Sequence, residues 1–217
     1  MALLFEATGH TYYLDGLVVP SVTQILRELG LINFDHVPPR ILEDARRRGS
    51  DVHALIHYSN EDDLDDTSID PDYRGYLAAW RACRATRGIA PILCEYRIAS
   101  RRHRFAGTLD CLCAIGGDGW LLDYATGDPD DVAKHLQTAA YHGLMREWAT
   151  GDPVLAETLA RFRTWRRASV RLRSDGTYQF REYTDPRHYG EMLTLVAAWH
   201  IRAAHRGAAQ ELAHASA

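Results

Sequence analysis

A chain of 217 residues, 46% of them hydrophobic, can bury one well-formed core, and it holds no run of eighteen apolar residues to span a membrane. Its four cysteines, Cys83, Cys94, Cys111 and Cys113, follow no repeated CxxC spacing; this argues against zinc, an iron–sulfur cluster or a disulfide framework. The net charge of −4 speaks against a nucleic-acid partner until its distribution is considered: Ser59–Asp72 holds seven acids and no Lys or Arg, so the remainder carries +3.

Met1–Glu6 lacks the charged and apolar regions of a secretion signal, which makes a cytoplasmic protein of a bacterium or phage the expectation. Thr11–Leu14 and Leu17–Val19, split by Asp15-Gly16, read as a hairpin. Ser21 is placed to cap a helix running to about Leu29 and ended by Gly30. Pro38-Pro39 opens a second helix with the apolar stripe Ile41, Ala45, Val52 and Ile56. After the acidic segment, a helix over about Pro71–Thr86 buries Tyr76, Leu77, Trp80 and Cys83. Strands follow at Ile92–Ala99, Arg104–Ile115 and Trp120–Ala125, then helices over about Asp130–Trp148 and Pro153–Thr164. A hairpin turns at Ser174-Asp175-Gly176, a last helix covers about Pro186–His205, and the tail after Gly207 is expected to fray. One α/β domain over residues 1–217 results, with an N-terminal part (1–90), a core (91–150) and a C-terminal part (151–217).

If Ile115 pairs with Trp120 across a four-residue turn, Asp110 faces Ala125 and lies diagonal to Asp123 on one face of the hairpin. Two carboxylates so placed repel unless a cation sits between them, and oxygen ligands suit Mg²⁺ or Mn²⁺. Asp123 follows Trp120-Leu121-Leu122, where an unpaired charge is costly. Lys134, Gln137 and Tyr141 share a helix face. Arginines bunch at Arg46–Arg48, at Arg101, Arg102 and Arg104, and between Arg161 and Arg173, and such clusters suit phosphates. Tyr12, Tyr13, Tyr141 and Trp165 are candidates for stacking on unpaired bases.

In order along the chain stand Arg48-Gly49-Ser50-Asp51-Val52-His53, Glu95, Gly107-Thr108-Leu109-Asp110, Asp123-Tyr124-Ala125-Thr126-Gly127 and Gln137-Thr138-Ala139-Ala140-Tyr141. This series resembles the PD-(D/E)XK nuclease superfamily in its RecB-like exonuclease branch. Val19–Leu26 is similar to the entry segment of phage-type and mitochondrial-genome-maintenance-type exonucleases. The resemblance implies a restriction-endonuclease-like core, a central mixed sheet flanked by helices, and metal-dependent hydrolysis of DNA. It implies Asp110, Asp123, His53 and the Tyr124 main-chain carbonyl as metal ligands. Gln137 and Tyr141 then position the nucleic acid, and Ser21, Thr23, Arg48 and Thr126 join them in contacting DNA. Glu95 is a further candidate, with an arginine partner across the sheet as its alternative. No cysteine follows Cys113, so the iron–sulfur variant of the branch is not expected. Single strands or DNA ends are the expected partner, and a homo-oligomer is open.

The family's lysine is replaced here by Ala125, which offers no donor to a phosphate. The favoured expectation is an engineered inactive variant. The alternatives are a natural pseudonuclease that still holds DNA, and transfer of the role to Lys134, the only lysine in the chain. Lys134 itself is expected to be an ordinary exposed residue in the first turn of its helix.

Overall fold

Asp15 and Gly16 both take positive φ, 51° and 82°, the conformation a two-residue I′ hairpin turn requires. They join β2 (Thr11–Leu14) to β3 (Leu17–Val19). The sequence reading missed β1 (Leu3–Glu6), which pairs antiparallel with β2 and makes the hairpin a three-stranded sheet. The computed structural model describes residues 2–35, 37–127 and 132–215.

Ser21 caps α1 (Val22–Glu28) as expected, its hydroxyl accepting the Gln24 amide at 3.0 Å. In α2 (Pro39–Asn60) the stripe is shorter than expected: Val52 and Ile56 are fully buried, whereas Ile41 is 58% exposed. In α3 (Pro71–Arg87) Tyr76, Leu77, Trp80 and Cys83 are all buried. Between α2 and α3 the acids do structural work. Asp65 caps a short 3₁₀ turn, Asp66 takes both arms of Arg81 at 2.6 and 2.7 Å, and Asp70 caps α3.

The main sheet has the order β4-β5-β6-β7-β8, formed by Ala90–Ser100, Phe105–Ile115, Asp118–Ala125, Trp165–Leu172 and Tyr178–Glu182. Only β6 and β7 run parallel; the other neighbours are antiparallel. Between β6 and β7 lie α4 (Val132–Trp148) and α5 (Pro153–Ala160), the latter shorter than expected, and α6 (Arg187–Ala215) closes the chain. The expected start of α4 at Asp130 falls outside the described residues. The helix expected to fray after Gly207 continues to Ala215.

Helices cover both faces of this α/β sheet. On one face Leu112 and Leu121 pack with Leu136, Ala140 and Leu144 of α4, and with α1 and α6. On the other, Cys111, Leu122 and Tyr124 pack with Val52 and Ile56 of α2 and Trp80 of α3. Among the described residues, no helix is long and apolar enough to cross a membrane.

Candidate metal centre

The β5–β6 hairpin sets the register of the site. Gly116 and Gly117, at φ 58° and 91°, form a two-residue turn, and Ile115 pairs with Asp118 rather than Trp120. The expected four-residue turn is corrected because two adjacent glycines supply the tighter I′ geometry. A shift of two leaves the paired side chains of this hairpin on their expected faces. The pairing ends at Cys111↔Leu122; Asp110, the next residue, is held by the Tyr124 amide instead.

A second irregularity lies between β4 and β5. Cys94 pairs with Cys111 and Tyr96 with Leu109, while Glu95 and Asp110 between them form no pair. Glu95 holds φ 50°, a conformation that costs a non-glycine residue energy and concentrates at functional sites. Across this gap the strands exchange faces: Tyr96 and Leu109 pack on the α4 side, Cys94 and Cys111 on the α2–α3 side. One acid from each strand is thereby released from the ladder, where helices of both layers can reach it.

From the α2 side comes His53, half-buried, its Nδ1 3.6 Å from Asp110 Oδ1 and 3.8 Å from Glu95 Oε1. Ligand atoms of His53, Glu95 and Asp110 all lie within 4.8 Å of one another. The Tyr124 ring stands edge-on to His53 and to Trp80, at 5.8 and 4.9 Å. Asn60 links Trp80 to the Tyr124 hydroxyl, so the α2–α3 layer fixes the imidazole. Asp110 is 7% exposed, and its Oδ2 accepts the Tyr124 main-chain amide at 2.6 Å. The Tyr124 main chain therefore lies against the site through its amide.

From the α4 side comes Lys134, with Nζ 2.6 Å from Oδ2 of Asp123. Asp123 is 2% exposed. The expectation of an ordinary exposed Lys134 is therefore corrected: the first turn of α4 lies over β6, and its side chain is 21% exposed. Glu95 likewise belongs to the acid cluster instead of pairing with an arginine across the sheet.

Charge follows the geometry. Burial pushes the Asp110 carboxyl up to about 7, with Asp123 and Glu95 adding to the rise and His53 opposing it. His53 moves up to about 9, because Asp110, aided by Glu95 and Asp123, outweighs the burial that opposes a charged ring. Lys134 is held above its ordinary value, since Asp123 outweighs burial. His53, Glu95 and Asp110 form a group that could hold a divalent cation, and oxygen-rich sets of this kind suit Mg²⁺ or Mn²⁺; Asp123 stands beside it, engaged by Lys134.

The remaining expected site residues divide. Gln137 donates to the Tyr141 hydroxyl at 3.2 Å, and the buried Tyr141 ring occupies the space a Cβ on Gly107 would need, 2.5 Å from Cε1. Gly107 thus belongs to this sequence so that α4 can approach β5. Ala125 is buried and in register with Arg171 of β7, a neighbour the reading did not single out. Thr126 is partly buried just past β6, and Arg48 is partly buried five residues before His53, its Nε making no hydrogen bond. Ser21 is buried with its hydroxyl engaged as a cap, whereas Thr23 is exposed on α1. Of the stacking candidates, Tyr12 is 1% exposed and hydrogen-bonded to Thr108, which makes it a core residue.

No model of a known protein family matches the chain, and no curated protein matches it.

Proposed function

We propose that this chain is a metal-dependent deoxyribonuclease of the PD-(D/E)XK type in which Lys134 stands in for the lysine missing at Ala125. The observation that supports this most is the 2.6 Å contact between Lys134 Nζ and Asp123, beside the cluster of His53, Glu95 and Asp110. That contact gives Asp123 a lysine partner that the Ala125 position cannot supply.

His53, Glu95, Asp110 and Asp123 are the residues that would hold Mg²⁺ or Mn²⁺. Such an ion, when bound, supplies an acidified water and neutralises charge developing on a phosphoryl oxygen. The residues of the chain have three tasks. The Tyr124 amide and His53 orient the two oxygens of Asp110. Lys134 keeps its proton, because Asp123 stabilises the ammonium, and presents positive charge where a phosphate approaches. Gln137 fixes the Tyr141 hydroxyl and leaves its O–H free to donate. Strand ends are the expected point of attack, in line with the exonuclease resemblance.

The test is cleavage of end-labelled single- and double-stranded DNA with Mg²⁺, Mn²⁺ or EDTA, by the unaltered chain, Lys134→Ala and Ala125→Lys. The expected result is metal-dependent cutting by the unaltered chain, stopped by EDTA and lowered about 10²–10³-fold in Lys134→Ala. Cutting by Ala125→Lys alone would instead make the chain a disabled nuclease. Binding without cutting by every form would favour a second reading suggested by Ala125 itself, a non-catalytic DNA-binding protein on the same scaffold.

A further inference from the structure

Outside the acid cluster, two places gather arginines. One is a cavity of about 620 Å³ between α4, β7, the chain after β8 and the start of α6, whose lining includes His142, Arg146 and Arg167. The Nη–H groups of Arg167 are all bonded within the protein, to the His135 and Asp185 carbonyls, the Thr138 hydroxyl and His188 Nδ1. That arginine therefore serves the packing of α4 and α6 on the sheet. The other place lies where the three-stranded sheet meets β4.

Arg97 is the informative residue there. It is exposed on β4, two positions from Glu95, with its guanidinium 4.9 Å from the centre of the Phe5 ring of β1. In the ladder it faces Thr108, whose hydroxyl lies 2.8 Å from that of Tyr12. Burial raises the pKa of the Tyr12 hydroxyl, the Thr108 bond and Arg97 lower it, and Glu95 and Asp110 raise it further. Cation and acids are thus close enough to act on one group. On the far side of Phe5, His10 stands edge-on to the ring at 4.9 Å; burial, with Arg27 of α1 adding to it, lowers its pKa. Arg27 is exposed and is the second cation of this surface. Among the described residues neither guanidinium forms an ion pair, and Glu28, beside Arg27 in sequence, is held by Arg206 at 3.1 Å.

We propose that this surface is the approach track of a nucleic-acid strand, which places the phosphate next to the scissile one on Arg97 and a further one on Arg27. A polyanion nearing a cluster of acids is helped by cations placed just before them. Two residues of β4 separate Glu95 from Arg97, a rise of about 6–7 Å, comparable to the step between successive phosphates of an extended strand. A guanidinium seated on an aromatic ring is held in place and keeps its N–H groups for phosphate oxygens. Such contacts position a strand without reading its sequence. The backbone can be that of a single strand or of a duplex end; the chemistry is shared. The inference rests on the proposed cleavage site and names the residues that guide a strand into it.

Fluorescence anisotropy in EDTA across a range of salt tests it, with a labelled DNA dodecamer, single-stranded or annealed to its complement. Arg97→Ala should weaken binding about tenfold, and it and Arg27→Ala should each lower the slope of log Kd against log salt by about 0.7–0.9. Arg97→Lys, which keeps the charge, should keep the slope. Arg187→Ala, which removes an exposed arginine already paired with Asp185, should change neither quantity. In cleavage with Mn²⁺, Arg97→Ala should raise KM about tenfold and leave kcat nearly unchanged. Tighter binding of the single strand would identify an unpaired strand as the ligand, and the reverse a duplex end. Unchanged affinity and slope in Arg97→Ala, or an equal loss in Arg187→Ala, would overturn the inference and leave metal-dependent cutting, and with it the proposed function, standing. A chain that neither binds nor cuts DNA would remove the proposed function and this inference together. Binding sensitive to Arg97→Ala but without cutting would support the track and favour the non-catalytic reading.

Discussion

Two histidines at opposite ends of the molecule's charge distribution show how little the net charge of −4 says about either. His53 sits among Glu95, Asp110 and Asp123 and is pushed up to about 9; His142 sits between Arg146 and Arg167 and is pushed down to about 4. Burial opposes a charged ring at both positions. It is outweighed where three carboxylates converge and reinforced where two guanidinium groups do. The same side chain therefore holds a proton more readily in one region, where a bound metal would have to displace it, and less readily in the other. One region gathers negative charge, the other positive.

The comparison can be broken most forcefully at Lys134. Lys134→Ala would leave Asp123 buried without a partner, and the expected loss is about 3–5 kcal/mol of unfolding free energy, read by denaturant melts in EDTA. Adding Asp123→Asn to that variant should recover much of the loss. No recovery would mean that the lysine stabilises by packing and not by charge.

The cavity histidine gives the next largest effect, through pH. Because His142 binds a proton less readily in the folded chain, its contribution is complete above about pH 6.5 and is lost as pH falls toward 4. It amounts to about 3 kcal/mol. His142→Gln should flatten that part of the stability profile, and an unchanged slope would place the acid sensitivity elsewhere. In the acid cluster Gly107→Ala drives a methyl into Tyr141 and should cost about 1–3 kcal/mol. A smaller loss would show that the Tyr141 ring can move aside. Outside both regions, the exposed Arg101–Asp15 pair at 3.1 Å serves as a reference. Arg101→Ala should cost at most about 1 kcal/mol, and less in high salt.

Much of the fold was legible wherever a residue type forces a local conformation. The Asp15-Gly16 turn, the Ser21 cap, the Gly30 stop and the buried face of α3 all follow from side-chain chemistry within a few residues. The motif acids were legible one by one, as was the expectation that Asp123 needs a partner. What was not legible depends on how elements meet. The paired glycines at 116 and 117 fix a register that Trp120 had suggested otherwise. The gap at Glu95 and Asp110 belongs to two strands together and leaves no mark on either alone. Lys134 looked like a surface residue because nothing in its own helix shows that α4 lies over Asp123. The cavity draws on α4, β7 and α6, whose contributing residues are up to 50 positions apart (Ala139 to Tyr189), so no local pattern could announce it.

In an Asp-x-Lys strand, acid and cation stand two positions apart on one face of the same strand. Here Asp123 and Lys134 are carried by different elements and meet only when α4 docks on the sheet. The burial of Asp123 is thereby tied to the docking of α4: one charge pair belongs both to the packing of helix on sheet and to the candidate site.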